Sequence, residues 1–478
     1  MLKLGYFLSV SLTLSIILTA CVPATTPAPI TIPPTRQPTR PPATLAPTPE
    51  SMDVAMPVIE YKDDRNQLIV VSSVTGETFK AFAPIQLGQS YSYTFSTDKQ
   101  TLALVSNGQL YLIDLPSWTY RTFDVNLNGW LWLSSVVYSP DESLLVLADG
   151  EPDGGLRVVD AKSGEVRASA QTGFAIRNVK FTTDGKAFMV YGPQLASTGD
   201  AANAGVSVGA PKATLFAVSD LSVLWSVELA GIRDGTFPKK ADTANTQDIY
   251  QPGAAWHFEP GIAFAPHSDI LYLVHGDEDK LTKVDFADRE LSTVDVHVKA
   301  SWFDQLLALT AGVAYAKGMD GTTKQAVISP DGKFLFVSGN TEVVTQQADG
   351  NDWDITDTSI GLQVIAVEDG TLVDTIDTGE TSLQLSSDGR QIFLTGWKRL
   401  ISYETPWTDI YDMSSNKLIK HIDKVSLTPT RLLNGKTIWV SNYAVSDNLC
   451  YMASVDSTTW TTVNEWRGKY CFGWLIDP

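Results

Sequence analysis

The stretch Ile328-Ser329-Pro330-Asp331-Gly332-Lys333 decides the architecture, because it is one copy of a unit that returns along the chain. An apolar residue comes first, then Ser or Thr, then an Asp-Gly-like turn that leads into the next apolar run. Further copies are Phe95-Ser96-Thr97-Asp98, Tyr138-Ser139-Pro140-Asp141, Phe181-Thr182-Thr183-Asp184-Gly185, Phe264-Ala265-Pro266-His267-Ser268-Asp269 and Leu385-Ser386-Ser387-Asp388-Gly389, with a degenerate copy at Leu433-Asn434-Gly435-Lys436. Asp or Asn bonds its own backbone and Gly accepts a positive φ, so each copy reads as a tight hairpin with a strand on either side.

A second pattern follows each of these, a strand that ends in a polar turn and returns as another strand. Its turns centre on Asp114, Asp160, Asp220, Asp285, Glu368-Asp369-Gly370, Asp412 and Asp456, and one more copy, around Val74-Thr75-Gly76-Glu77, precedes the first hairpin. No amphipathic helical period of useful length interrupts them. Asp98, Asp141 and Asp184 are spaced 43 and 43 residues apart. A period in the forties with four strands per unit indicates blades of a single all-β propeller. The count gives eight four-stranded blades, or seven if one assigned pair stands outside the ring. The chain begins partway through a blade, and Tyr470-Cys471-Phe472-Gly473-Trp474-Leu475-Ile476-Asp477-Pro478 reads as the missing first strand. Its pairing with the N-terminal blade is expected to close the ring and remove exposed strand edges.

Ser329-Pro330-Asp331-Gly332-Lys333 and Val158-Val159-Asp160-Ala161-Lys162-Ser163-Gly164-Glu165-Val166 resemble the YVTN and WD40-like repeats of bacterial surface and periplasmic propellers, weakly over residues 58 to 478. Leu215 to Leu229, with Trp225, is more similar to a quinoprotein-type repeat. The Gly-His and Trp-Asp signatures of true WD40 repeats are absent, as is the sialidase Asp box. The resemblance implies blades, which enzymes and binding modules share.

The N-terminus reads as an address. Lys3 precedes an apolar run from Leu4 to Leu18, of signal-peptide length and short for a membrane span, and the run ends Leu18-Thr19-Ala20-Cys21. That ending resembles the bacterial lipobox, which implies cleavage after residue 20 and a diacylglyceryl thioether on Cys21. Residues 21–52 then form a spacer, with ten prolines and seven threonines between Val22 and Glu50 and almost no large apolar residue. Such a segment buries no core and extends at roughly 3 Å per residue. The propeller occupies 53–478, outside the cytoplasm and anchored to the membrane by its lipid. With Cys21 assigned to lipid, Cys450 and Cys471 remain. In an oxidising compartment an even pair reads as a disulfide, here one that clasps the C-terminal strand; the alternative is two buried thiols.

Lys plus Arg is 35 against 54 for Asp plus Glu, a net charge of −19. That sign opposes tracking a phosphate backbone, so nucleic acid is excluded as a partner, and it opposes docking on anionic lipid through surface charge.

The long insertions, 193–212, 230–259, 299–326 and 339–360, fall between second and third or between fourth and next first strands. They therefore share one face of the propeller, where function is expected. These connections and their neighbours carry Trp130, Trp256, His257, Trp302, Trp353, Trp397 and Trp407 as candidate ligand contacts, since flat rings beside carboxylates suit sugars and peptides. Asp349, Asn351, Asp352 and Asp354 cluster hard oxygens and are the candidate calcium ligands, although the run does not match an EF-hand loop. His257, His267 and His275 lack zinc-site spacing, and neither a nucleophile elbow nor a phosphate-cradling loop is present.

The expected function is a lipid-anchored propeller that binds a protein, peptide or glycan through its elaborated face, with no cofactor beyond that calcium candidate. The alternatives are a propeller enzyme of lactonase or quinoprotein-dehydrogenase type, and a scaffold in an envelope assembly complex, both implied by resemblance.

Overall fold

The computed structural model describes residues 55–62, 65–72, 75, 77–79, 82–88, 91–127, 135–196, 206–239, 253–298, 320–346, 353–379, 381–386, 389–400, 403–423, 437–444, 449–468 and 472–475. Every regular element among them is a strand.

Six antiparallel sheets have four strands each. The first joins the two ends of the described chain: Phe472–Leu475, Ala55–Lys62, Arg65–Ser72 and Ile85–Leu87, with Val58 opposite Leu475 and Ile59 opposite Trp474. The second comprises Tyr91–Phe95, Thr101–Ser106, Gln109–Asp114 and Thr119–Asp124. The third is Ser135–Tyr138, Leu144–Ala148, Gly155–Asp160 and Val166–Gln171, and the fourth Asn178–Phe181, Ala187–Leu195, Ser207–Ala217 and Val223–Glu228. The fifth is Gly261–Phe264, Ile270–Val274, Lys280–Asp285 and Glu290–Asp295.

The sixth sheet is enlarged to eight strands. Gly321–Ile328, Phe334–Gln346, Leu362–Ala366 and Thr371–Ile376 run antiparallel in order, Trp353–Ser359 also pairs with Phe334–Gln346, and His297–Val298 lies parallel to the outer strand. The hairpin Gly235–Pro238/Ala255–Glu259 joins its inner edge, parallel to Gly321–Ile328. The seventh sheet, Thr381–Leu385, Gln391–Leu400, Tyr403–Asp412 and Lys417–Asp423, again has four strands. Three strands are described of the last: Thr437–Ala444, Leu449–Asp456 and Thr462–Gly468. The fold is a β-propeller with six regular four-stranded blades; the sequence count of eight, or seven, is finer than these sheets establish.

Burial explains why the strands of one sheet differ in composition. Second strands such as Leu144–Ala148 and Ile270–Val274 are buried on both faces and read as unbroken apolar runs, whereas outer strands such as Val166–Gln171 alternate between half-buried and exposed. Each apolar cluster lies between consecutive sheets. Val146, Val158 and Phe174 meet Phe188 and Phe216 between the third and fourth. Met189, Tyr191 and Leu215 meet Leu271, Leu273 and Phe286 between the fourth and fifth. Trp225 of the quinoprotein-like repeat wedges there, edge-on to Phe286 at 5.6 Å.

Quoted turns that have Ser or Thr before the acid share one set of bonds, which Ala265 in the copy at 264–269 has no hydroxyl to make. Ser139 Oγ donates to Asp141 Oδ1 at 2.6 Å, Ser329 Oγ to Asp331 Oδ1 at 2.6 Å and Thr182 Oγ1 to Asp184 Oδ1 at 2.7 Å. The same oxygens accept the backbone N–H that opens the second strand, from Leu144 at 3.0 Å, Phe334 at 3.0 Å and Ala187 at 3.1 Å. The turns of the second pattern are also equivalent. Asp160, Asp412 and Asp456 each accept the N–H three residues on, at 2.7, 2.8 and 2.7 Å, and Gly164, Asn416 and Trp460 take the positive φ that ends the turn. The degenerate turn at 433–436 lies outside the described residues.

The insertions differ from loops in one respect. Within 230–259 and 339–360 the structure has strand, Gly235–Pro238, Ala255–Glu259 and the extended hairpin Phe334–Gln346/Trp353–Ser359. Likewise 193–212 carries the ends of Ala187–Leu195 and Ser207–Ala217, and 299–326 already includes the start of Gly321–Ile328. Antiparallel pairing of Thr341-Glu342-Val343-Val344-Thr345 with Asp354 to Thr358 satisfies the backbone in a two-stranded ribbon that projects beyond the sheet.

Candidate functional site

The first strands of consecutive sheets lie side by side: Asn178–Phe181 contacts Ser135–Tyr138, and Gly321–Ile328 contacts both Gly261–Phe264 and Thr381–Leu385. They form the innermost layer. At the end where these strands begin, a pocket of about 450 Å³ is lined by Arg177 and Asn178, Glu259 to Ile262, Lys324 to Ala326, and Ser382 to Gln384. Four sheets thus contribute to it, on the face that carries the insertions.

Behind the pocket wall an ionic chain runs inward. Arg177 Nη2 reaches Asp234 Oδ1 at 2.9 Å and Glu259 Oε1 at 3.3 Å. Asp234 is fully buried, and the Tyr191 hydroxyl donates to its Oδ2 at 2.9 Å. Burial pushes the Asp234 carboxyl up to about 6 against the opposing pull of Arg177. Glu259 has the opposite fate: its hydrogen bond with His257, aided by Arg177, holds it down to about 2. His257 Nε2 lies 3.3 Å from Glu259 Oε1, and His257 Nδ1 lies 3.2 Å from Thr236 Oγ1. The 230–259 insertion therefore supplies both carboxylates that neutralise a half-buried arginine of the preceding sheet.

Lys324 stands on the other side of the pocket. Its Nζ donates to the carbonyl of His275 at 2.6 Å, and burial lowers its pKa although Asp279 and Asp277 pull the other way. Gly339 faces it in the ladder, and a Cβ there would come within 2.0 Å of the Thr323 carbonyl. His275 is itself buried, shares a 2.7 Å hydrogen bond with Thr282 Oγ1, and is lowered to about 4 by burial.

Of the candidates from the sequence, His257 belongs to this chain of contacts. Trp256, beside it on Ala255–Glu259, carries Lys239 over its ring at 5.9 Å. Trp407 stacks on His421 with ring centroids 6.2 Å apart, on the seventh sheet. Neither tryptophan lines the pocket. Trp353 and Trp397 sit in Trp353–Ser359 and Gln391–Leu400, while Trp130 and Trp302 lie outside the described residues. Asp354 is exposed on the projecting ribbon; Asp349, Asn351 and Asp352 lie outside the described residues. So do Cys21 and Cys471, and Cys450 pairs with Gly468 in the last sheet. Among the described residues no group of three or more His, Cys, Asp or Glu is placed to hold a metal ion.

Sequence reasoning missed Arg177, Asp234, Glu259 and Lys324. Arg177, Glu259 and Lys324 share one signal, a charged residue at or just before an innermost strand; Asp234 does not.

No family model matches this sequence, and no curated protein matches it. Among solved structures the chain is similar to a dihydro-heme d1 dehydrogenase, NirN, in complex with DHE, at 12% identity and a TM-score of 0.50, over 88% of this chain and 75% of that one. It is also similar to a hydrazine synthase of Kuenenia stuttgartiensis, at 14% identity and a TM-score of 0.42, over 78% of this chain and 96% of that one. A eukaryotic initiation factor is similar at 12% identity and a TM-score of 0.47, over 90% of this chain and 99% of that one. The likeness to the dehydrogenase supports the β-propeller fold and nothing of its chemistry. The other two fall too low to carry an argument.

Proposed function

We propose that this chain is a lipid-anchored, extracytoplasmic propeller that binds a segment of a protein or peptide at the axial pocket of its elaborated face. The observation that carries the reading is the pocket itself, about 450 Å³ at the start of four innermost strands and walled by Arg177, Glu259 and Lys324. Fixed ions and amide side chains on a rigid scaffold suit recognition of polar main-chain and side-chain groups. A peptide is preferred over a glycan because, among the described residues, no aromatic ring lines the pocket to stack on a sugar. The enzyme reading is less well supported: Asp234, a carboxyl raised to about 6, is fully buried behind Arg177. The remaining architecture is proposed with it: eight blades, a ring completed by the C-terminal strand, a Cys450–Cys471 disulfide, and diacylglycerol on Cys21 at the head of a Pro/Thr spacer.

The test is a peptide library probed with the full chain in detergent beside Glu259→Gln and Lys324→Met variants of unchanged thermal stability. Ligands that lose tenfold or more in affinity to either variant support the reading. Ligands indifferent to both would sink it. For the anchor, Cys21→Ser is expected to release the chain from the membrane fraction.

A further inference from the structure

We infer that the group seated in the axial pocket is a carboxylate held by the Lys324 ammonium; this deepens the functional reading above and rests on it. An ammonium has three N–H donors, and among the described contacts Lys324 spends one, on the carbonyl of His275 at 2.6 Å. No carboxylate among the described residues lies within ion-pair distance of its Nζ; Asp277 and Asp279 act on it from farther away. A partly buried cation without a counter-ion is costly, and an incoming anion relieves that cost.

The other charges of the wall already face a charge of opposite sign. Glu259 is engaged by both His257 and Arg177, and Arg177 divides one nitrogen between Glu259 and Asp234. Asp277, on the His275 side, is paired with Arg233 at 3.4 Å. Among the described residues Lys324 is therefore the charge in the pocket lining without a counter-ion. Its neighbour Gln325 accepts the Leu383 N–H at 2.9 Å through Oε1, which leaves its amide nitrogen as a donor. Asn178 and Gln384 bring further amides to the same lining. An ammonium flanked by amide donors, with Pro260, Ile262 and Leu383 for apolar contact, fits a short carboxylate-bearing side chain or a chain terminus.

The experiment is calorimetric titration of the full chain in detergent with N-acetyl-L-glutamate methylamide, its glutamine counterpart, D-glucuronate and D-glucose, for the wild type, Lys324→Met and Lys324→Arg. Tightest binding is expected for the glutamate derivative, at least tenfold over the glutamine one, with that preference lost in Lys324→Met and largely kept in Lys324→Arg. A preference for glucuronate over both glucose and the glutamate derivative, lost in Lys324→Met, supports the carboxylate and overturns the peptide reading. Equal binding of glutamate and glutamine derivatives overturns the carboxylate and leaves the peptide reading standing. A preference that survives in a folded Lys324→Met variant, or no binding of any carboxylate, overturns the inference.

Discussion

The two ends of the innermost strands contrast sharply. Where these strands finish, the chain repeats itself: Ser139 with Asp141, Thr182 with Asp184 and Ser329 with Asp331 close the same turn with the same atoms. Where they begin, no two sheets agree. The fourth contributes Arg177, the enlarged sixth contributes Lys324 and, on its added hairpin, Glu259, and the fifth supplies the His275 carbonyl that Lys324 bonds. The repeated end solves a backbone problem, and any sheet can solve it alone. The irregular end holds buried charge that is satisfied only when several sheets are in place, and such asymmetry is expected where a scaffold carries a site.

The largest expected effect breaks the irregular end. Arg177→Met leaves the fully buried Asp234 without its cation and should cost about 3–5 kcal/mol at pH 7. The cost should shrink at pH 5, where a carboxyl raised to about 6 is mostly protonated already, and adding Asp234→Asn should restore part of it. Chemical denaturation of the single and double variants at both pH values measures this. An equal cost at pH 7 and pH 5 would contradict the burial of an ionised Asp234.

His275 sharpens the comparison through pH. Its folded pKa of about 4 lies below the ordinary 6.5, so the folded state excludes a proton that the unfolded chain accepts. Its contribution is complete above about pH 6.5 and is lost as pH falls toward 4, an effect of about 3 kcal/mol. Asp234, raised to about 6, works in the opposite direction over part of that window, favouring the fold below it. The difference between wild type and His275→Gln isolates the histidine: the variant should lose less stability between pH 7 and pH 4.5. The turn carboxylates Asp184 and Asp331 are lowered, through a backbone N–H from Lys186 and a hydroxyl bond from Ser329 respectively, so their contribution should fade only below the ordinary carboxylate pKa. Parallel pH profiles of wild type and His275→Gln would remove the distinction.

The smallest effect tests the repeated end. Ser139 and Ser329 are buried and bond alike, so Ser139→Ala and Ser329→Ala should each cost about 1–2 kcal/mol, and by similar amounts. Costs that differ severalfold would show that equal bonds in two sheets are not equal in energy.

The same contrast explains what could be read from the amino acids. The turns are legible because Ser-x-Asp and Asp-x-x-Ser act within a few residues, and the C-terminal strand because Phe472 to Leu475 repeats the pattern of other first strands. The pocket is not legible in the same way, since Arg177, Asp234, Glu259 and Lys324 have no local pattern and meet only across sheets. Tryptophans on connections suit ligand stacking, yet Trp256 and Trp407 spend their faces on Lys239 and His421. His257 is legible from its place on an insertion, while its role depends on Glu259 two residues later. The strands inside the insertions were hidden by threonines and acids in Trp353–Ser359, which suit a ribbon wetted on both faces.

The pairing of Val58 and Ile59 with Leu475 and Trp474 also sets the order of assembly. The first sheet to emerge during synthesis is the last to be finished, because its inner neighbour is made more than four hundred residues later. Until then the edge of Ala55–Lys62 has no partner, and the loop that must close to supply one spans almost the whole described chain. A chain cut short near its C-terminus should therefore present the same open edge permanently, and its fate should be proteolysis or association with other chains rather than a slightly weaker fold.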